Sequence, residues 1–249
     1  MRIALLSDIH GNYEALKAVL IDMEQLKPKV NNVVVLGDLV FKGAQPSECV
    51  RAIQELKCPV VQGNIDELVA KNWIQPGFAR DDAHAQVLQE EIDWTRNQLS
   101  EEQLVYLAEL PMVQRIDELG IHIRIVHATP QSVLDVMLPI APEEAWARMF
   151  EPDKKDKKVP NVVAYGHIHL PFTRFISGKV VVNPGSIGLP FDGDWRAAYA
   201  IIDIEKDGVR AVQHRRVVYD IDAAVLAYEG TGHPQAGAVS AAIREGRRP

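Results

Sequence analysis

Two cysteines in 249 residues, Cys49 and Cys58, cannot build a disulfide framework and suit a reducing compartment. No stretch approaches the roughly 20 apolar residues of a membrane-spanning helix. The run Ile3-Ala4-Leu5-Leu6 behind Met1-Arg2 is too short for the core of a signal peptide. Positive charge is also scarce. Lys and Arg number 27 against 34 Asp and Glu, a formal net charge of −7, so bulk attraction to a polyanion such as nucleic acid is not expected. What is abundant is apolar surface. At 47% hydrophobic, the chain can bury a full core. A cytoplasmic globular protein with no membrane association is the expectation.

The first 65 residues alternate strand and helix signals, which argues for a helix-covered sheet with parallel strands. Residues 3–6 read as a strand. Asn12 then caps a helix with Leu16, Val19, Leu20, Met23 and Leu26 on one face. Residues 33–36 read as a strand, 46–56 as a helix, and Val60-Val61 as a further strand. Residues 67–111 change character and read as a helical insertion. Leu88, Ile92, Thr95 and Leu99 share a helical face there, and Ser100-Glu101-Glu102-Gln103 fits a capping box. Strand signals return at 121–126, 162–165, 179–182, 199–204 and 209–219. The charge run 151–158 (EPDKKDKK) reads as a solvated loop, and 230–249 as a short helix from near Pro234 or a frayed tail. No internal repeat or interdomain linker is evident, so one domain is expected over 1–249, with the insertion as a cap.

Chemistry concentrates where strands end. The segment 3–6 runs into Ser7-Asp8-Ile9-His10, 33–36 into Gly37-Asp38, and Val60-Val61 into Gly63-Asn64. Likewise 121–126 runs into His127, and 162–165 into Gly166-His167-Ile168-His169. Ligands of open α/β sheets bind beyond the carboxyl ends of strands, where these groups can converge. In extended backbone, residues i and i+2 point the same way, so D-x-H and H-x-H could each present a pair. Carboxylate, imidazole and amide oxygen together suit Mn, Fe, Zn or Ni better than an all-oxygen cage. Seven such groups exceed what one tetrahedral ion takes. A lone D-x-H is weak evidence and G-D is commonly a turn; five motifs, each at a strand end, are not easily accidental.

The order DxH…GD…GN-x-D…H…GHxH resembles the calcineurin-like metallophosphoesterase superfamily. The segments SDIHGNYEAL, GDLV, HATP, GHIHLPF and NPGSIGLPFDGD are similar to its small bacterial and archaeal phosphodiesterase-like, diadenosine-tetraphosphatase-related branch. The resemblance spans residues 1 to about 204. It implies an α/β fold, a four-layer αββα sandwich of two packed mixed β-sheets flanked by helices. It also implies two divalent transition-metal ions, manganese first, with Asp8, His10, Asp38 and His169 on one and Asp38, Asn64, His127 and His167 on the other. Such a centre attacks phosphoesters with a metal-bound hydroxide and needs no protein nucleophile, so Ser186 is not expected to act covalently.

One position departs from the family pattern. Many members carry His after the Gly-Asn pair, placed to protonate the leaving oxygen; here it is Ile65, which cannot. A positioned general acid contributes about 10²–10⁴ in rate. Its loss penalises alkoxide leaving groups and spares phosphate or phenolate. The expected substrates are therefore small phosphodiesters or phosphoanhydrides, nucleotide-like and including dinucleoside polyphosphates. The alternatives are a serine/threonine or monoester phosphatase, and a non-catalytic metal-binding scaffold, a use this fold finds in a retromer subunit. His84 and His122 are unassigned imidazoles that could stand in for the acid. Asn64, Lys42 and Arg196 are candidates for substrate contact, with Trp195 beside them. Trp94 and Trp146 read as packing residues. The expected partner is a small phosphorylated molecule, and a homo-oligomer is left open.

Overall fold

The computed structural model describes residues 1–152 and 157–249; residues 153–156 of the charge run lie outside them. Two sheets form. In the first, β1 (Arg2–Leu6) pairs in parallel with β2 (Asn32–Val35) and antiparallel with β8 (Ala197–Glu205), which pairs with β9 (Gly208–Val217). In the second, β4 (Ile121–Val126), β5 (Val162–Ala164) and β7 (Lys179–Asn183) run parallel. Antiparallel β3 (Val113–Glu118) and β6 (Phe172–Ile176) form its edges.

Side-chain alternation explains why the two sheets stack. Ile3 and Leu5 of β1, Ile121, Ile123 and Ile125 of β4, and Ala200, Ile202 and Ile204 of β8 bury one face of each strand in a common inter-sheet core. Opposite faces take helices. Ala4 and Leu6 pack under α1 (Tyr13–Gln25) and α2 (Pro46–Leu56), in a cluster that also holds side chains of α3 (Asn64–Lys71), α4 (Asp82–Asn97) and α5 (Glu101–Glu109). On the other side, Val126, Val163 and Val181 meet Trp146 of α6 (Glu143–Arg148). The result is the expected αββα layering of two mixed sheets.

Local signals explain the element boundaries. Asn12 caps α1 by accepting the Ala15 N–H at 3.1 Å, and Ser100 and Gln103 close a reciprocal box on α5. The strand expected at Val60-Val61 reduces to a single parallel bridge, Val35 to Val60. Its ladder stops because the Gln62 N–H turns to the Pro111 carbonyl at 2.9 Å and α3 opens at Asn64. The edge strands β3 and β6 escape sequence reading because both are only half-buried and interleave Gln, Arg, Asp and Thr with their apolar positions. The tail beyond Gly230 carries α8 (Ala236–Glu245), whose Val239, Ala242 and Ile243 are buried beside α7 (Ile221–Leu226).

Candidate metal centre

The loops after β1, β2, β4 and β5 meet at one end of the paired sheets. Their backbones are not extended there, which corrects the expected i, i+2 geometry. Asp8, His10, Asp38, His167 and His169 have φ of 53°, 49°, 55°, 70° and 60°, in the left-handed region. Asp and His tolerate that region better than most residues, at a cost of about 1–3 kcal/mol each. Surrounding bonds hold them in it. The Asp8 N–H donates to the Gly37 carbonyl at 3.1 Å and the His10 N–H to the Asp38 carbonyl at 2.9 Å. The Asp8 carbonyl accepts from Ser186 Oγ at 2.7 Å and from the Gly188 N–H at 3.0 Å. Ser186 is thus fully buried scaffolding. Two glycines admit the close approach: a Cβ at Gly63 would sit 2.0 Å from Asp38 Oδ1, and one at Gly166 2.0 Å from Ser7 Oγ.

All seven residues expected to gather do so. Ligand atoms of Asp8, His10, Asp38 and His169 lie within 4.8 Å of one another, as do those of Asp38, His127 and His167. Asn64 Oδ1 stands 2.9 Å from both His127 Nε2 and His167 Nδ1, which adds it to the second group. Asp38 belongs to both.

The ring orientations favour a cation. His127 Nδ1 donates to the Leu36 carbonyl at 2.6 Å and His169 Nδ1 to the Leu189 carbonyl. In the neutral rings, each Nε2 lone pair therefore faces a carboxylate oxygen: Asp38 Oδ2 at 3.3 Å from His127, and Asp8 Oδ1 at 3.2 Å from His169. Lone pair against anion is repulsive, so a positive charge belongs between them: on His127 a proton when no metal is bound, and a metal ion when one is. A backbone carbonyl fixing the tautomer of a ligating His is the usual arrangement at metal sites. Buried His10 Nδ1 has no hydrogen-bond partner among the described residues. The donor set is mixed N/O and fits divalent transition metals.

Electrostatics point the same way. Burial, with neighbouring His169, pushes His10 down to about 4; burial, with His127, does the same to His167. Both rings are neutral near pH 7, as ligands must be. Burial opposes charge on His127 and Asp38 too, but each outweighs that penalty for the other. His127 is raised to about 9 and the Asp38 carboxyl lies well below the ordinary range. Asp8 is likewise lowered, its burial cost outweighed chiefly by His169.

Gly63 is the N-cap of α3, and Asn64, Ile65 and Asp66 form its first turn. The Ile65 N–H donates to Asp38 Oδ1 at 2.9 Å, so a helix N-terminus faces the shared carboxylate. Asp66 was missed. It is fully buried and accepts three backbone N–H groups, from Asp38 and Leu39 at 2.8 Å and Gly63 at 2.9 Å. An acidic residue at the third helical position, reaching back over a Gly, was its available signal.

A cavity of about 330 Å³ opens onto the cluster. Ile65, Phe41, Phe78 and Leu88 give it an apolar wall, and Lys42, His84, Phe191 and Arg248 reach its lining. Lys42 Nζ is tied to Glu91 of α4 at 2.6 Å. Arg196 does not line this cavity, a correction to its expected substrate contact. Its guanidinium forks onto Asp194 two residues back, at the surface. His84 lines the cavity, and its Nδ1 accepts the Arg80 N–H at 3.1 Å, leaving the ring proton on Nε2. His122 is elsewhere, on Asp117. Trp146 is buried packing, and Trp94 donates to the Thr231 carbonyl at 2.9 Å.

Two outcomes are expected. Asp66→Ala orphans three buried N–H groups at about 1–3 kcal/mol each, not fully additive, and should lower unfolding stability by roughly 3–5 kcal/mol in denaturant titration. Metal-free protein should also lose stability as pH rises. His127 has a folded-state value of about 9 against 6.5 for a free imidazole, so its contribution is complete below pH 6.5 and lost through pH 9. Melting curves over that range should fall for metal-free protein and stay flatter after divalent metal is added, because metal and proton compete for the same nitrogen.

Comparison with known proteins agrees with this architecture. Residues 1–207 match the calcineurin-like phosphoesterase superfamily domain. The chain is 34% identical over 236 residues, 88% of each sequence, to an uncharacterized protein of Methanocaldococcus jannaschii. The crystal structure of a metallophosphoesterase from Sphaerobacter thermophilus superposes with a TM-score of 0.75 at 28% identity, covering 99% of both chains. A hypothetical protein from Pyrococcus horikoshii shares the fold, with a TM-score of 0.82 at 24% identity over 100% of this chain and 99% of that one. The chain belongs to the calcineurin-like phosphoesterase superfamily, whose members are metal-dependent.

Proposed function

We propose that the protein is a dinuclear-metal phosphoesterase that hydrolyses small phosphodiesters or phosphoanhydrides, nucleotide-like molecules and dinucleoside polyphosphates among them. The observation that carries this reading is the pair of overlapping clusters sharing Asp38. Asp8, His10, Asp38 and His169 would hold one ion and Asp38, Asn64, His127 and His167 the other, with manganese first and iron, zinc or nickel as alternatives. When bound, two such ions supply a water-derived nucleophile and neutralise the charge of an in-line displacement. The chain's own residues set the position and preference of that chemistry. The α3 N-terminus holds Asp38 in place through the Ile65 N–H. The helical segment 67–111 covers one side of the mouth, where Phe78, His84 and Leu88 face the substrate space.

Ile65 decides the substrate class. Its side chain lines the cavity beside the cluster yet offers no proton to a leaving oxygen. Leaving groups that depart as stable anions are favoured, and serine or sugar alkoxides are not. This places a monoester or serine/threonine phosphatase second. A scaffold is third, because binding a partner protein gives no reason to retain all seven polar groups. No helix among the described residues is long and apolar enough to cross a membrane, which is compatible with a cytoplasmic site of action on a small soluble substrate.

A panel of an aryl phosphodiester, an alkyl phosphomonoester and a dinucleoside tetraphosphate, each with Mn²⁺, tests the proposal. Turnover of the first and third but not the second is expected; turnover of the monoester alone would favour the phosphatase reading. Asp38→Asn should abolish turnover and lower metal content together, because one carboxylate serves both groups; full activity in that variant would contradict the assignment. Ile65→His should accelerate the alkyl ester towards the lower end of the roughly 10²–10⁴ of a general acid, while changing the aryl diester little. Equal gains on both substrates, or none on the alkyl ester, would mean that Ile65 does not stand where a proton donor acts.

A further inference from the structure

The segment after α8 brings two arginines to the metal cluster, and the fold holds that segment firmly. Gly246 caps α8 at φ 64°, and its carbonyl accepts the Gly193 N–H at 3.0 Å. A Cβ at Gly246 would meet the Asp194 backbone at 2.9 Å, so the turn lies directly on the loop that follows β7. The Arg247 N–H closes back on the Ala242 carbonyl at 3.2 Å. The chain thus leaves α8 in a fixed direction, over Phe191.

Phe191 is the link to the cluster. Its ring lies on the His169 imidazole, with centroids 4.0 Å apart and planes 6° from parallel. On Phe191 sits the Arg248 guanidinium, 5.2 Å from the ring centroid. Phe191 thus touches both a residue of the candidate metal set and an exposed guanidinium, and His169 and Arg248 line the same cavity. Arg248 has no carboxylate within ion-pair distance among the described residues, unlike Arg196, Arg215, Arg216 and Arg244, each of which is paired. It lines the 330 Å³ cavity that holds Ile65. It also lines a second cavity of about 310 Å³, with His167, Phe191, Arg247 and apolar Val136, Leu138 and Leu170. The cluster's own cavity and a second one therefore lie side by side, and Arg248 and His167 border both.

From this geometry we infer that Arg248 forms an anion subsite for a second phosphate of the substrate, next to the one attacked at the metal cluster; Arg247 is held by Glu245 at 3.7 Å. A guanidinium held near an aromatic ring by cation–π attraction, with no carboxylate partner, keeps its N–H donors free for phosphate oxygens. A single-phosphate ester leaves this subsite empty. A substrate with a phosphate chain fills it and can place an apolar or aromatic group in each cavity. The inference rests on the phosphoesterase reading and narrows it to substrates with two or more linked phosphates.

Tripolyphosphate binding, measured by calorimetry on Mn²⁺-loaded wild type, Arg248→Ala and Arg248→Lys, tests the subsite without turnover. Orthophosphate is the single-phosphate control. Arg248→Ala should weaken tripolyphosphate about tenfold and orthophosphate by much less, with Arg248→Lys in between, since it keeps the charge but not the planar stack. In kinetics, kcat/KM for a dinucleoside tetraphosphate should fall about tenfold further than for an aryl phosphodiester. Equal losses for both anions, or none for tripolyphosphate, would overturn the subsite. If no phosphoester is turned over by wild type but the tripolyphosphate difference persists, the hydrolase reading fails and the anion subsite stands.

Discussion

Asp38 has to keep a full negative charge while almost wholly buried, and most of the site's architecture can be traced to that demand. Its carboxylate takes the Ile65 N–H from the first turn of α3 and stands beside two imidazoles, one of which it holds protonated when no metal is present. Its backbone N–H donates to Asp66, whose buried carboxylate also takes the N–H groups of Leu39 and Gly63. Asp66 therefore fastens the β2 loop to the start of α3 and fixes the distance between Asp38 and Asn64. Burial, with the nearby Asp38 charge, raises Asp66 to about 7, offset in part by the backbone N–H groups it accepts. Without this bracing, the left-handed backbone at Asp38 would relax and the two clusters would no longer share a ligand.

Much of the fold was legible in the sequence because the core strands are short apolar runs closed by polar, turn-forming residues. Residues 3–6, 33–36, 121–126, 162–165 and 179–182 could be read this way, and the polar residues after 3–6, 33–36, 121–126 and 162–165 pointed to one end of the sheets. The edge strands β3 and β6 were not legible, since a half-buried strand with Arg, Gln and Thr on its open face carries a weak period-2 signal. Within the site, residue types were readable and backbone conformation was not. D-x-H and H-x-H fit an extended pair by spacing alone, yet both pairs adopt positive φ: Gly37, Ser186 and Gly188 bond the Asp8 backbone, and the His167 N–H donates to the Asp8 carboxylate.

The cavity lining shows the limit of local reading more clearly. Lys42 follows a motif and does reach the cavity, but α4 supplies Glu91 to hold it, a pairing across 49 residues. Arg196 also follows a motif and is taken by Asp194. Arg248 follows no motif and lies 184 residues from Asn64 in sequence, yet tertiary docking of α8 sets it above Phe191. Ile65, Phe41, Phe78 and Leu88 come from four separate segments to form the apolar part of the cavity lining. Two carboxylates and four imidazoles gather at the cluster, with His84 and Arg248 on the lining of the cavity that opens onto it.

The account depends on two ions sharing Asp38, and that can be measured without knowing the substrate. Protein stripped of metal, reconstituted with Mn²⁺ and freed of excess should be assayed by elemental analysis together with electron paramagnetic resonance. Close to two ions per chain, with the signature of exchange-coupled Mn²⁺, is the predicted result. One ion per chain, or two without magnetic coupling, would contradict a shared carboxylate and with it the proposed centre.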